Sequence, residues 1–399
     1  MNAKRLGAIS FGHFAIDILN SSIAIILVSV SQQWDLSNSQ IGFGAMIYTF
    51  AASLTQPFFG LLADRWRGRW LNWLGLLWVM VFFSLASFAP NYPTLLAILT
   101  VGALGSGAFH PVGIVNAGDA GGHRPTTATS VFFLLGQSGL SLGPMVSGIL
   151  LQRMGLDALP LMALAMAPAV ILMALWLKDP MAEPDHVHTT APATGKRRVS
   201  RGTVSAVAIF LLVVILRSTT LQSFMTLLPK FLADMGLSSG EYGIMVGVFV
   251  FAGALGTFAG GFLGDRYSRR LVIAISLLAG VPFVLLLLAN YDNRLYFVAA
   301  IGAGALLSIP HSILLIIGQD LLPRRKGMMG GIVLGLMFAS GAATTWIAGW
   351  FADRVGLGMV LYVLAFFPIA AAASALLLPK TRPTATTPVP AEPSPAAAD

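Results

Sequence analysis

The sequence predicts an all-α integral membrane protein of twelve transmembrane helices in two pseudo-symmetric six-helix bundles, and three observations carry that prediction. The composition is too apolar for a soluble fold, the hydropathy divides into twelve span-length stretches, and the second half of the chain repeats the first. Of 399 residues, 56% are hydrophobic and 10% charged, against roughly 25% charged in a soluble domain. The mean hydropathy is +0.80. So little polar surface cannot cover an apolar interior of this size. The same figures exclude a disordered chain and a coiled coil. The absence of cysteine excludes a disulfide scaffold, thiolate catalysis and Cys-bound metals.

A membrane helix needs about 20 mostly apolar residues. By that ruler the spans run over 6–31, 40–62, 70–89, 93–118, 127–152, 157–177, 204–228, 241–263, 271–290, 295–319, 327–350 and 357–377. Turn-forming runs separate them, among them Pro90-Asn91-Tyr92-Pro93, Gly121 to Pro125 and Asn290 to Asn293. Lys4 and Arg5 ahead of the first span resemble a signal peptide. That stretch is too long, contains Asp17 and lacks a small-residue cleavage site, so it reads as an uncleaved helix.

Most of the 24 basic residues fall in loops on one side of the membrane. Arg153, Lys230, Arg294 and Arg354 lie on the other, and Arg217 alone lies inside a span. By the positive-inside rule both termini are cytoplasmic. The isoelectric point near 10 therefore reflects topology and not nucleic acid binding. Residues 178–203 lack apolar periodicity and read as a cytoplasmic linker between halves 1–177 and 204–379. The Pro- and Ala-rich residues 380–399 read as a disordered cytoplasmic tail.

A shift of 201 residues lays one half on the other without a gap. Gly60-x-x-x-Asp64-Arg65-x-x-x-Arg69 falls on Gly261-x-x-x-Asp265-Arg266-x-x-x-Arg270. His110 falls on His311, Asp119 on Asp320, Gly148 on Gly349, and Arg153 on Arg354. Parallel duplication of a six-helix unit is the build of transporters in which two bundles rock about a midplane site. Arginines after spans 2 and 8 satisfy the positive-inside rule. Occurring twice at equal spacing with an Asp, they also suit a latch of charge-assisted bonds holding the halves closed on the cytoplasmic side, with Asp119 and Asp320 as natural partners.

These residues carry a resemblance. Gly-x-x-x-Asp-Arg-x-x-x-Arg after span 2, repeated after span 8, resembles motif A of the major facilitator superfamily. Span 5 reads Gly139-Leu-Ser-Leu-Gly143-Pro144-Met-Val-Ser147-Gly148. It is similar to that superfamily's antiporter motif, with Ser147 in place of one glycine and no copy in the second half. His13-Phe14-x-x-Asp17, Gln56-Pro57-x-x-Gly60, Phe109-His110-Pro111 and Gly318-Gln319-Asp320-Leu-Leu-Pro323 resemble the fosmidomycin-resistance branch, although Val112 stands where many of its members carry Glu. The resemblance covers residues 6–377. It implies the major facilitator fold, alternating access, and proton-coupled export of small amphiphilic or anionic compounds such as antibiotics. It also implies a bacterial cytoplasmic (inner) membrane and a monomer.

An ionisable group inside a bilayer is expensive and by default a functional candidate. His13 and Asp17, four apart on one face of span 1, are the candidate proton-coupling pair. Arg217, one position from the repeat mate of Asp17, is the candidate anion holder. His110, His311, Gln137, Asn20 and Gln222 are further candidates to bind substrate. The alternatives stay open: a structural Asp17–Arg217 bridge, histidines that only satisfy helix breaks beside Pro111 and Pro310, and amides that serve as interhelical glue. Small residues of span 5 and the Gly256, Gly260, Gly264 series of span 8 read as two surfaces that pack together.

No phosphate-cradling loop occurs, so nothing points to an ATP motor. Gly139-x-Ser141-x-Gly143 fits a hydrolase pattern but lies in a membrane helix. No enzyme, cofactor or metal site is expected; the partners are a small molecule, protons and lipid. Import of a small organic anion is the alternative function, and a non-transporting receptor is a third.

Overall fold

The structure, a computed structural model, describes residues 1–66, 68–177, 201–289, 295–321 and 326–379. The linker expected at 178–203 falls almost wholly outside the described residues, and the tail at 380–399 wholly so. Among the described residues, ten helical stretches are long and apolar enough to cross a bilayer. They include α1 (Ala3–Ser29), α2 (Asn38–Leu62), α3 (Trp70–Phe88) and α4 (Tyr92–Gly121). The stretch Thr127–Trp176 folds back at Gly155–Asp157 and so makes two spans, α5 (Pro125–Met154) and α6 (158–176). Then come α7 (Arg201–Asp234), α8 (Ser239–Arg266), α9 (Arg269–Ala289), α10 (Leu295–Gly318), α11 (Lys326–Val355) and α12 (Leu357–Leu376). The ten stretches, one of them folded into two spans, make eleven, and the helix α11, which is not one of the ten, brings the number to the twelve expected.

Local chemistry explains where helices start, break and turn. Ser37 before α2 and Ser238 before α8 each form a capping box, with Gln40 and Glu241 respectively. The two boxes are 201 residues apart. Breaks within α6, α10 and α12 fall beside Pro168, Pro310 and Pro368, which lack the N–H that a continuous helix needs. The break in α1 falls at Ser22, whose hydroxyl donates to Ile18 O at 2.7 Å and to Gly143 O on α5 at 3.2 Å. Gly155 and Gly356, repeat mates at the α5–α6 and α11–α12 turns, have φ of 58° and 90°. That left-handed region suits glycine.

Within each half, backbones approach where side chains are smallest. Gly139 and Gly143 of α5 lie against the carbonyls of Phe14 and Ile18 on α1. Gly256 and Gly260 of α8 lie against Ala305 and Ile309 of α10, and Gly264 meets Ile313. The expected packing of that series on α5 is therefore corrected. The α8 glycines that meet α5 are Gly240, Gly243 and Gly247, opposite Gln152, Pro144 with Gly148, and Ser141 with Met145. The α5 motif divides by helical phase: Gly139 and Gly143 face α1, while Pro144 and Gly148, a position further round, face α8.

The halves meet at one end of the bundle. There Gly148 packs on Ser239 and Gly243, and Ser239 Oγ donates to Gly148 O at 2.9 Å. By the repeat, Gly349 of α11 packs on Asn38 and Ser39 of α2, and Gly42 on Thr345 and Trp346. The Asp353 carboxylate of α11 accepts from Asn38 N at 2.7 Å and Ser39 N at 3.1 Å. A carboxylate from one half thus caps the helix N-terminus of the other, where partial positive charge and free N–H groups lie. Toward the opposite end the same four helices expose Leu54, Phe58 and Leu61 of α2, Leu134 of α5, Leu255 and Phe258 of α8, and Phe338 of α11. At the second end residues 56–66 and 310–321 pack chiefly on helices of their own half, so the bundle is shut at the first end and open at the second.

Asp353→Ala removes both cross-half bonds. Loss of a cap costs about 1 kcal/mol, so the closed-end population should fall roughly fivefold relative to the open one. In this cysteine-free chain, Phe43→Cys places a thiol beside Trp346, whose ring lies 5.7 Å from that of Phe43. Maleimide should label that thiol several times faster in the Asp353→Ala background. Equal rates would show that the cap does not hold the end shut.

Candidate transport site

Asp17 and His13 sit on the buried face of α1, one turn apart, and His110 reaches them from α4. The Asp17 Oδ2 atom is 3.1 Å from His13 Nε2, and Oδ1 is 3.4 Å from His110 Nε2. The other nitrogen of each ring is tied to the backbone: His13 Nδ1 to Phe132 O and His110 Nδ1 to Ser106 O, both at 2.8 Å. Asn20 Nδ2 donates to Asp17 Oδ1 at 3.2 Å and to Ser106 Oγ at 3.0 Å. Tyr48 of α2 donates to Asn20 Oδ1 at 2.6 Å. Four helices of the first half, α1, α2, α4 and α5, thus hold one polar network. Asp17 and His13 are about 5% exposed, while the His110 side chain is 21% exposed and forms the network's accessible edge.

The His13, Asp17 and His110 ligand atoms lie within 4.8 Å of one another, a grouping a metal ion could use. Asn20 turns its N–H2 toward Asp17 Oδ1, a donor contact that a carboxylate accepts whether it faces protons or a cation.

Arg217 is 4% exposed on α7. Its Nε donates to Leu307 O at 3.2 Å, and its Nη1 lies 3.3 Å from His311 Nδ1. A guanidinium only donates, so His311 Nδ1 accepts and that ring is neutral. No carboxylate among the described residues pairs with Arg217. The expected Asp17–Arg217 bridge is not made, because Asp17 finds its compensation within its own half. Among the described residues, the pseudo-twofold puts a carboxylate beside two histidines in one half and a guanidinium without an acidic partner in the other.

The remaining candidates are placed as follows. Gln137 and Gln222 are half-buried on α5 and α7. Asn116 donates to Asn72, which donates to Phe109 O at 2.9 Å, a link between α3 and α4. At the open end Arg69 Nη2 meets Asp119 Oδ2 at 3.1 Å and Arg269 Nη1 meets Asp320 Oδ2 at 2.8 Å. Both bridges lie within a half, so in this open conformation they brace each bundle and do not join the two. The second bridge uses Arg269, whose repeat mate is Gly68; Arg270 instead donates to Leu376 O at 3.4 Å. Asp265 and Arg266 are exposed at the end of α8. The Asp64 and Arg65 side chains lie outside the described residues. Sequence reading passed over Tyr48, Ser106, Arg269 and Asp353. For Asp353 a signal existed: its repeat mate is Gln152, which sits at the N-terminus of α8 as Asp353 sits at that of α2.

Comparison with known proteins follows the same lines. The family described as the Major Facilitator Superfamily matches residues 9–238 and again 210–398. The chain belongs to the major facilitator superfamily. It is a multi-pass membrane transporter of that superfamily and not an enzyme. The chain is 29% identical over 371 residues to the fosmidomycin resistance protein of Escherichia coli (strain K12), covering 91% of this chain and 90% of that one. It is 27% identical over 370 residues to the MFS-type transporter YfnC of Bacillus subtilis (strain 168), covering 90% and 88%. Among solved structures, it resembles a bacterial homolog of the human lysosomal transporter Spinster, inward-facing and unoccupied. There the TM-score is 0.77 at 14% identity, covering 94% and 96%. The nucleoside transporter NupG gives 0.75 at 15% identity, covering 95% and 99%. These likenesses fix the fold.

Proposed function

We propose that this superfamily member exchanges protons for a small anionic compound and exports it. The observation that carries the reading is Arg217, a buried guanidinium whose described partners, Leu307 O and His311, are both neutral. Burying an unpaired charge is costly. An anionic substrate group, a carboxylate or phosphonate, supplies the missing charge with the fork geometry that Arg favours. Relationship to a fosmidomycin resistance protein is consistent with a phosphonate.

The positive-inside rule puts the N-terminus, the Arg69–Asp119 bridge and the open end on the cytoplasmic side of a bacterial inner membrane, so the conformation is inward-open. In an export cycle the anion loads on Arg217 from the cytoplasm while the His13–Asp17–His110 cluster is deprotonated. The empty carrier returns with the cluster protonated. An inside-negative potential, worth about 2.3 kcal/mol per charge at 100 mV, drives both legs: the loaded form is more negative going out and the empty form more positive coming in.

Cotransport of anion and protons is the second reading, because a protonated cluster attracts an anion. Purified protein in liposomes, with fosmidomycin as probe and a pH gradient of either sense, separates the two. Exchange predicts accumulation in the compartment of lower pH; cotransport predicts the reverse. No response to either gradient overturns proton coupling.

A further inference from the structure

We propose that His13, Asp17 and His110 act as one store that holds two exchangeable protons in the conformation described, so that each transport cycle moves two protons where a lone carboxylate would move one. This rests on the reading that Asp17 exchanges protons, and goes beyond it by counting them. Phe132 O and Ser106 O are carbonyl oxygens that only accept. The histidine Nδ1 atoms lie 2.8 Å from them, so each Nδ1 must carry its hydrogen. The Ser106 hydroxyl, 3.3 Å from His110 Nδ1, is then an acceptor from that ring and not its donor. A neutral ring protonated on Nδ1 has a bare lone pair at Nε2. Both Nε2 atoms lie within ion-pair distance of Asp17, each nearest a different oxygen, at 3.1 and 3.4 Å. A carboxylate that close repels a neutral ring's Nε2 lone pair and attracts an imidazolium, so each contact favours a proton of its own.

No other group supplies those protons. Asn20 cannot titrate, and it already donates to Asp17 Oδ1 and Ser106 Oγ. The Tyr48 phenol, the titratable group facing the network from α2, gives its hydrogen to Asn20 Oδ1. From α5 the cluster meets the Phe132 ring, stacked 3.9 Å from that of His13, and Gly136. An aromatic face is favourable to an imidazolium. Arg217 and His311 bond to each other in the other half.

With both protons in place the cluster is two imidazoliums and one carboxylate, one net positive charge. With both gone it is one net negative charge. The protons leave from Nε2 to water at the His110 edge, the exposed member of the three. The Nδ1 hydrogens stay on their rings, donated to the carbonyl oxygens, throughout.

The test is 15N NMR of full-length protein carrying labelled histidine, purified in detergent without substrate. The chain has six histidines, and His13→Gln and His110→Gln spectra assign the two buried signals. Expected at neutral pH are two imidazolium signals that lose their Nε2 protons together over one pH interval, with Asp17→Asn turning both into neutral Nδ1–H rings. Should Asp17→Asn fail to fold, the wild-type titration still decides. Two neutral rings at neutral pH, or one imidazolium beside one neutral ring, would overturn the two-proton store. So would a stoichiometric divalent metal found by elemental analysis, which would make the cluster a metal site. The functional reading fails separately: two protons on the cluster with transport indifferent to a pH gradient refutes coupling and not the count.

Discussion

Arg217→Ala should abolish transport of an anionic substrate while leaving the protein folded. Two charge-assisted hydrogen bonds to a carboxylate or phosphonate contribute about 3 to 6 kcal/mol, so affinity should fall by more than about a hundredfold. Stability should change little, because the substitution also removes a buried charge that lacks an acidic partner among the described residues. Arg217→Lys keeps the charge and loses the fork, so it should bind roughly tenfold more weakly than wild type. Equilibrium binding of fosmidomycin and thermal melting of the same samples read both effects. Normal affinity in Arg217→Ala would remove Arg217 from the substrate site. A large fall in melting temperature with unchanged affinity would assign it to holding α7 against α10.

Asp17→Asn should abolish accumulation driven by a pH gradient and spare exchange of labelled for unlabelled substrate. Asparagine has the same shape, so the packing of α1 against α4 and α5 is retained. It cannot carry the negative charge that Asp17 sets beside His13 and His110. Gradient-driven uptake should fall to simple equilibration, while counterflow stays within a few-fold of wild type. The lost charge-assisted bonds should cost about 1 to 3 kcal/mol of stability, visible as a lower melting temperature. Equal loss of driven transport and counterflow would make Asp17 structural.

Much of this was legible in the sequence because it depends on local or summed properties. Span length is a sum over side-chain hydropathy, orientation a sum over loop charges, and the 201-residue repeat a comparison along one line. Asp17, His13, His110, Arg217 and His311 stand out because a titratable group among apolar neighbours is costly wherever the helix turns. The capping boxes at Ser37 and Ser238 and the turns at Gly155 and Gly356 are equally local.

Partnership was not legible. Helices that are apolar all round show no stripe to say which face meets which neighbour. The phase of α8 about its own axis therefore had to come from the packed structure, which turned Gly256 and Gly260 onto α10 and gave Gly243 and Gly247 to α5. The same rotation of α1 brought Asp17 to His110 and left Arg217 to His311. Hydrogen bonds act only within a few tenths of an ångström of their ideal length. The sequence by itself determined which charges enter the membrane, and only the tertiary structure, by setting distances across helices, decided which of them meet an opposite charge among the described residues and which do not.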